Sequence, residues 1–334
     1  MECTLVQHPA AASATSTITV LRIDPSQPAD VDVTAVSADG NLVYSSLDRL
    51  YVATTDWGWG WQSLRDGERQ PTTAIHAFSV DGTQTEYVAS GTVAGTVPDR
   101  WAFSEYDGNL RVASTLGQVW SPRETVVTVF EEDADRLSVV GSVGGLGENE
   151  QIHAVRWFDE VAVIVTFRQV DPLYTVDLGD PTSPRVLGEL KIPGFSEYLH
   201  PIGDDLLLGV GQDATNQGQL RGSQLSTFDL TELTDVTRLA TLGLGTHVYS
   251  AVEEDSRAFT YLADQRLAFI PVSDWSGGSE VAVARVDDQG RLDLVTTIEL
   301  SGWGGDARVL PIEDDRVAVV SHGRVVQLLD VNQL

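Results

Sequence analysis

One type of segment recurs along the chain: a turn rich in Asp, Gly or Asn, followed directly by an apolar strand. Six copies can be identified, at Leu47–Thr55, Gly108–Leu116, Asp159–Phe167, Asp204–Gln212, Gln265–Ser273 and Asp314–His322. Successive copies start roughly 45–60 residues apart, which suits a four-stranded blade with variable loops. Two more strand-like segments follow each copy, and glycine then allows a tight path to the next inner strand. The pattern predicts an all-β chain folded as a β-propeller of four-stranded antiparallel blades.

The two ends of the sequence do not supply complete blades. Thr17–Asp24 and Asp32–Ala38 are typical of the last two strands of a blade, whereas Arg308–Leu334 supplies the first three. If the termini share one sheet, the ring closes at about six blades and covers an exposed edge; if further blades lie upstream, the total is about seven or more. We therefore expect one propeller domain over residues 17–334, preceded by an unstructured or extended segment over residues 1–16.

Charge and composition exclude several classes of protein. The chain has 21 basic and 49 acidic residues, a net charge of −28, so a surface that attracts nucleic acid is not expected. No apolar run approaches the ~18–20 residues of a membrane span, and the first residues lack the pattern of a signal peptide. Cys3 is the single cysteine, so an internal disulfide and a Cys-rich zinc site are excluded.

A specific resemblance begins at Ile152–Asp213. The strings VTFRQVDPLY, DLGDP and IPGFSEYLHP in this stretch resemble the secreted β-propeller domain family of bacteria and archaea, which is distantly related to WD-repeat proteins. Thr73–Gly95, Phe103–Thr115 and Asp255–Val272 are also similar to that family. The resemblance implies an extracellular or cell-envelope location. Family members begin further upstream, with a VDEADIVKTDG-like repeat, so it also implies an N-terminally truncated chain.

The resemblance carries no established biochemical activity, and one position departs from the family pattern. Ser256 stands where a His more often precedes the basic residue, so no role of that His transfers to this chain. The sequence also lacks the Ser-x-Asp-x-Gly-x-Thr-Trp box, the G-x-S-x-G elbow, the H-E-x-x-H helix and a phosphate loop. Carboxylates from different blades could still meet in space, as a glycosidase requires.

Acidic residues cluster at four places that could bind a cation or cap turns. The clusters are Glu131–Asp133, Glu253–Asp255, Asp287–Asp288 and Glu313–Asp315. Hydrated caps of hairpin turns are the simpler interpretation, and Ca²⁺ bound through carboxylate and backbone oxygens is the alternative. None of the clusters follows the spaced D-x-D-x-D-G pattern, so calcium is a hypothesis and no other cofactor is indicated.

Polar residues on the predicted inner strands form the first candidate binding site. They come in pairs, namely His153 with Arg156, Tyr198 with His200, and Glu254 with Arg257. Inner strands surround the central channel of a propeller, so convergent side chains would form a ring able to bind a small anion or a sugar. Ion pairing between blades is the alternative.

Three tryptophans that alternate with glycine form the second candidate. Trp57, Trp59 and Trp61 project to the same side of an extended segment. A flat indole platform suits sugar rings or apolar partners, and the alternative is that the indoles fold back over a blade edge as a small satellite core.

The sequence therefore favours an exported, non-catalytic propeller that binds a protein or a glycan, or acts as a scaffold, at the cell envelope. The alternative is a hydrolase or lyase that acts on a polysaccharide or peptide with acidic residues at the channel mouth. Strongly raised carboxyl pKa values in a deep pocket would favour the enzyme, and an aromatic face would favour the binding module.

Overall fold

A computed structural model describes residues 6–7, 9, 16–57, 70–80, 85–167, 171–215, 219–274, 276–300, 305–312 and 315–334. Within these residues the regular structure is β-strand, and no α-helix occurs among them. Short 3₁₀ turns lie at Arg100–Ala102, Ala251–Glu253, Ser256–Ala258 and Val331–Gln333. The predicted all-β fold class is confirmed. No helix in these described ranges is long and apolar enough to cross a membrane.

The N-terminal strands form a three-stranded sheet and an eight-stranded sheet. The first has the order β1-β3-β2, with β1 (Val6–Gln7), β2 (Ile18–Ile23) and β3 (Val31–Val36). The second has the order β4-β5-β6-β7-β11-β10-β9-β8, with β4 (Leu42–Ser45), β5 (Arg49–Asp56), β6 (Thr72–Ser79), β7 (Glu86–Ala94), β8 (Phe103–Tyr106), β9 (Asn109–Gln118), β10 (Ser121–Asp133) and β11 (Arg136–Leu146). A single parallel pair, Arg136 with Ser90, joins β7 to β11, so the larger sheet consists of two antiparallel four-stranded blades.

The later strands form four more sheets in chain order. Two are four-stranded: β12 (Gln151–Phe158), β13 (Val161–Phe167), β14 (Asp171–Asp177) and β15 (Arg185–Ile192), then β16 (Phe195–Ile202), β17 (Leu206–Ala214), β18 (Leu220–Asp229) and β19 (Thr237–Gly243). A five-stranded sheet contains β20 (Val248–Ser250), β21 (Thr260–Leu262), β22 (Leu267–Asp274), β23 (Ser279–Val286) and β24 (Leu292–Glu299). A three-stranded sheet contains β25 (Arg308–Ile312), β26 (Arg316–Ser321) and β27 (Arg324–Asp330).

The six recurrent segments all correspond to the second strand of a blade. They coincide with β5, β9, β13, β17, β22 and β26. In β22 both faces are apolar because a buried cluster lies on each side of the strand. Ala268 and Ile270 of β22 pack into one buried cluster, whereas Leu267 and Phe269 pack into another. Burial of both faces explains why the periodicity is a continuous apolar run instead of a strict alternation.

The sheets are those of a propeller with six to seven blades, as the repeat predicted. β1–β3 and β25–β27 form separate three-stranded sheets in the described strand pairings, and the shared terminal blade stays a prediction. Of residues 1–16 the structure describes 6, 7, 9 and 16, and the first two of these form β1.

Contacts divide the chain into two compact units. Unit 1 contains Met1–Ile152, Trp157–Ala162 and Asp177–Val186, and unit 2 contains His153–Arg156, Val163–Val176 and Leu187–Leu334. The sheet β12–β15 supplies residues to both units. Each candidate site described below lies within one unit.

One predicted inner strand differs from the expectation. Glu254 and Arg257 do not lie on a strand, because two 3₁₀ turns separate β20 from β21. Ser250 and Glu253 form a capping box on the first turn, and the Asp255 side chain accepts a hydrogen bond from the backbone N–H of Arg257 on the second. Such local bonds from side chains to the backbone compete with sheet pairing, so the strand is split into two short pieces that both pair with β22.

Candidate functional site

A cleft in unit 1 opens where several strands begin or end. It encloses about 340 Å³ and is lined by residues at the start of β4, the end of β5, the end of β9 and the start of β12. The lining residues are Asn41, Leu42, Ala53, Thr54, Thr55, Trp57, Thr73, Thr96, Val97, Pro98, Thr115, Gly117, Gln118, Val119, Gln151 and Ile152. We call it the threonine cleft. Its volume lies at the lower end of the range typical of small-molecule sites.

The lining of the threonine cleft is uncharged and combines polar with apolar side chains. None of the described residues that line it has an ionisable side chain; hydroxyls, carboxamides and apolar groups make up the lining. The Trp57 side chain stands at its edge with 41% of its surface exposed. Thr55 and Thr73 bond to each other and Gln151 donates to the Val119 carbonyl. The remaining polar groups offer hydrogen bonds but no ion pair to a ligand.

A short β-bridge connects two sides of the threonine cleft. Thr96 and Thr115 exchange two backbone hydrogen bonds, each of 2.9 Å. The bridge depends on Gly95, which has a φ of +86° and a backbone so close to the Thr115 carbonyl that an added Cβ would overlap it. The Thr73 hydroxyl also donates to the Gly95 carbonyl at 2.9 Å. Glycine is the residue that fits this conformation and this approach, so the cleft wall is held in one position.

The tryptophan platform is described only in part. Trp57 lies at the cleft, whereas Trp59 and Trp61 fall outside the described residues. The threonines and Gln151 were not predicted as site residues. They come from the ends of different strands, and no local motif connects them. Their position beside predicted turns was therefore the only feature of the sequence that could have indicated them.

Three of the predicted inner-strand residues belong to unit 2 and interact electrostatically. Arg156 is on β12, and Tyr198 and His200 are on β16, the first strands of their sheets. The Tyr198 hydroxyl and His200 Nδ1 are 3.2 Å apart, and the Arg156 cation is near enough to act on the pKa values of both rings. We call this group the arginine site.

Aromatic rings surround His200 in the arginine site. The centroid of its ring is 4.9 Å from that of Phe259 and 5.3 Å from that of Tyr261. Burial among these rings, together with the charge of Arg156, lowers the pKa of His200 to about 4. Burial raises the pKa of Tyr198. Both rings are therefore neutral at neutral pH, and Arg156 is the charged member of the group.

His153 belongs to a different cluster from the other predicted inner-strand residues. Its Nδ1 lies 2.6 Å from Glu197 Oε1, and its ring packs against Phe167 and Phe195. Glu197 was not predicted, because it is the extra residue of a β-bulge: Ser196 pairs with Gly211 and Tyr198 with Val210. A bulge turns a side chain away from the face that simple alternation assigns to it.

A second carboxyl group, that of Glu253, lies close to Glu197. Burial raises the pKa of Glu253, and the charge of Glu197 acts in the same direction. Gln212 Nε2 donates to both of its oxygens at 2.7 Å, and the Ser223 hydroxyl and the Ser250 backbone N–H donate at 2.6 and 2.9 Å. These bonds hold the 3₁₀ turn Ala251–Glu253 against β17 and β18, so Glu253 has a structural role in this arrangement.

Basic partners occupy most of the acidic clusters. Glu132 forms a two-point ion pair with Arg49, with contacts of 2.7 and 3.0 Å. Asp255 pairs with Arg257 and Arg308, and hydrogen bonds from Arg257 help to lower its pKa to about 2. Asp287 and Asp288 also pair with arginines, and Glu313 and Asp314 lie outside the described residues. Across the described ranges, no group of three or more His, Cys, Asp or Glu residues is placed to hold a metal ion; calcium stays a hypothesis.

The strand repeat, the blades and the resemblance agree with the family comparison. Residues 1–325 match the model of the beta propeller domain family. The chain belongs to this family, and the family expectation is confirmed.

The curated relatives are archaeal proteins described as uncharacterised. One, from Methanocaldococcus jannaschii, is 40% identical over 200 residues, which are 60% of this chain and 30% of that protein. Another, from Archaeoglobus fulgidus, is 43% identical over 162 residues, which are 48% of this chain and 24% of that protein. The matched segments thus span less than a third of these longer relatives.

Solved structures with a similar backbone fold have a much lower sequence identity to this chain than the archaeal relatives have. A crystal structure of a Lactobacillus plantarum protein has a TM-score of 0.48 and 12% identity, covering 92% of this chain and 90% of that one. A Trp149Ala mutant of the apocarotenoid oxygenase of Synechocystis has a TM-score of 0.47 and 8% identity, covering 85% and 68%.

Proposed function

We propose that this β-propeller is a non-catalytic binding module at the cell envelope and that it holds a neutral glycan in the threonine cleft. The observation that carries the proposal is the uncharged, hydroxyl-rich lining beside Trp57. Sugar hydroxyls both donate and accept hydrogen bonds, which matches threonine hydroxyls and glutamine carboxamides. The apolar face of a sugar ring also suits a half-exposed indole.

The location at the cell envelope rests on the family resemblance. A binding module that is displayed on a surface does not need to catalyse a reaction of its ligand. A rigid scaffold of blades that carries ligand-binding loops is sufficient. Fractionation of cells that produce the natural protein tests this part separately from the glycan: recovery of the protein in the cytoplasm would contradict it.

Titration with neutral oligosaccharides tests the binding itself. We expect calorimetry with a panel of glucose-, galactose- and mannose-based oligomers to detect binding to the intact chain. Because the described lining has no charge, Kd should change little between about 0.05 and 0.5 M NaCl. A salt-sensitive ligand, or no binding by any neutral oligomer, would count against the cleft as a glycan site.

Trp57→Ala is the direct test of the indole. It should weaken binding by about tenfold or more, because the aromatic contact with the sugar face is lost. Trp101→Ala is the matched control, since Trp101 is 38% exposed and does not line the cleft. Equal affinity of the two variants would remove Trp57 from the proposed site.

A further inference from the structure

Arg156 is a half-buried cation that forms no ion pair with any of the described residues. Its Nε is buried and has no hydrogen-bond partner in the part of the chain that the structure describes. Burying a charge is costly unless hydrogen bonds or an opposite charge compensate. A buried donor that is left open therefore requires an explanation in terms of folding or of function.

Other arginines of unit 2 show that acidic partners are abundant. Aspartates form ion pairs with Arg221, Arg257, Arg266, Arg291 and Arg308. In a chain with 49 acidic and 21 basic residues, a cation that lacks an acidic partner is not explained by a shortage of acids.

Arg111 in unit 1 shows how this fold satisfies an arginine that serves the core. Arg111 is only 4% exposed, and its Nε, like that of Arg156, is buried without a hydrogen-bond partner among the described residues. Its terminal nitrogens, however, donate to the Ser104 hydroxyl and to the Asp159 carbonyl. Its guanidinium carbon lies 5.0 and 5.3 Å from the ring centroids of Tyr106 and Trp157. Among the described residues Arg156 makes no comparable set of hydrogen bonds and ring contacts, so a role like that of Arg111 does not account for it.

One neighbour of Arg156, the His200 ring, can donate to an anion, and Tyr198 orients that ring. Tyr198 and His200 are neutral, as described above, and they bond to each other at 3.2 Å. When the tyrosine hydroxyl donates to Nδ1 of His200, the ring proton lies on Nε2, which is then a further donor. Phe259 and Tyr261 pack around these groups and reduce their hydration, which strengthens an ionic contact.

We propose that Arg156, Tyr198 and His200 form a binding site for a carboxylate group, carried by an acidic sugar or by a small organic acid. A guanidinium binds a carboxylate through two parallel N–H donors. The bound carboxylate supplies the missing counter-charge. The arginine site lies in unit 2 and does not depend on the neutral glycan proposed for the cleft in unit 1.

NMR of the arginine Nε–H group provides a direct test with the intact chain. The Arg156 signal is assigned by its absence in Arg156→Lys, which keeps the charge but lacks the planar fork. Titration with glucuronate and with benzoate should shift this signal, and glucose should leave it unchanged. Either carboxylate supports the proposal, and the one that binds more tightly identifies the source. A signal shifted by inorganic phosphate alone, or by none of these up to about 10 mM, overturns it.

Two variants separate binding from a structural role. Arg156→Met should abolish the rise in melting temperature that carboxylates cause. Without ligand, the melting temperature of Arg156→Met should equal or exceed that of the parent, because the substitution removes an uncompensated charge. Arg156→Lys should bind carboxylates about tenfold more weakly. The exposed Arg324 provides the control variant Arg324→Met, which should bind as the parent does. If Arg156→Met is less stable than the parent without ligand, Arg156 serves the fold and the proposal fails.

Discussion

His200 shows how a single buried ring makes stability depend on pH. Its pKa in the folded chain is about 4, below the ordinary value of 6.5, because burial and the Arg156 charge disfavour the protonated ring. The unfolded chain binds this proton more readily, so protonation favours unfolding. The contribution of His200 to stability is complete above about pH 6.5 and is lost as the pH falls towards 4.

The loss should be measurable by urea unfolding. Between pH 7 and pH 4, His200 should account for a decrease of about 3 kcal/mol in the free energy of unfolding. His200→Gln cannot take up the proton. Its free energy of unfolding should therefore decrease by about 3 kcal/mol less than that of the parent between pH 7 and pH 4. Identical profiles for the parent and His200→Gln would show that the ring is hydrated.

The residues of the arginine site were partly predictable from strand geometry. Tyr198 and His200 are two residues apart on one strand and so share a face, and the repeat placed them on the first strand of a blade. Glu197 was not predictable, because one inserted residue in β16 changes which side chains share a face. The alternation rule therefore failed at the bulge while it held for the residues that follow it.

At the scale of elements, the bulge in β16 depends on a glycine in β17. An added Cβ on Gly211 would overlap the Phe195 carbonyl and lie 2.7 Å from Ser196 Cα. Both contacts are with backbone, which cannot move aside without separating the two strands. The glycine thus allows β16 to approach β17 where Glu197 is inserted.

Gly211→Ala should lower the free energy of unfolding by about 1–3 kcal/mol, as expected for an overpacked site. It should also separate the 2.6 Å contact between His153 and Glu197, because the bulge that aims Glu197 is displaced. Gly243→Ala in the same sheet is the matched control, since nothing lies within 4 Å of its added Cβ. Differential scanning calorimetry compares the two variants; equal melting temperatures would show that the strands adjust without strain.

Sequence patterns predicted the elements with very different success. The second strand of every blade was predictable, because it is apolar on both faces and follows a turn. The first strand of the five-stranded sheet was not, because Ser250, Glu253 and Asp255 bind nearby backbone groups and form 3₁₀ turns in place of a strand. Local capping of this kind depends on three-dimensional geometry that acidic residues alone do not specify.

At the scale of the whole molecule, the N-terminal strands β2 and β3 are part of the core of unit 1. Val36 and Ala38 pack in a buried cluster with Val52 and Phe78, and Ile18 packs against it. Asp32 accepts a 2.6 Å hydrogen bond from the backbone N–H of Thr85. The incomplete set of strands at the N-terminus therefore does not mark a loose segment, a point that the strand count alone could not decide.

Deletion of residues 1–38 should lower the free energy of unfolding of the intact chain by several kcal/mol, because it uncovers Val52 and Phe78 and removes the apolar side chains that cover them. Deletion of residues 1–16 is the control: it removes β1, which pairs through only two residues, and should cost much less. Hydrogen exchange localises the effect. Amides of β6 should exchange faster in the longer deletion, while those of β17 and β22 in unit 2 keep the parent rates. Unchanged exchange in β6 would show that the N-terminal strands only rest on the surface of unit 1.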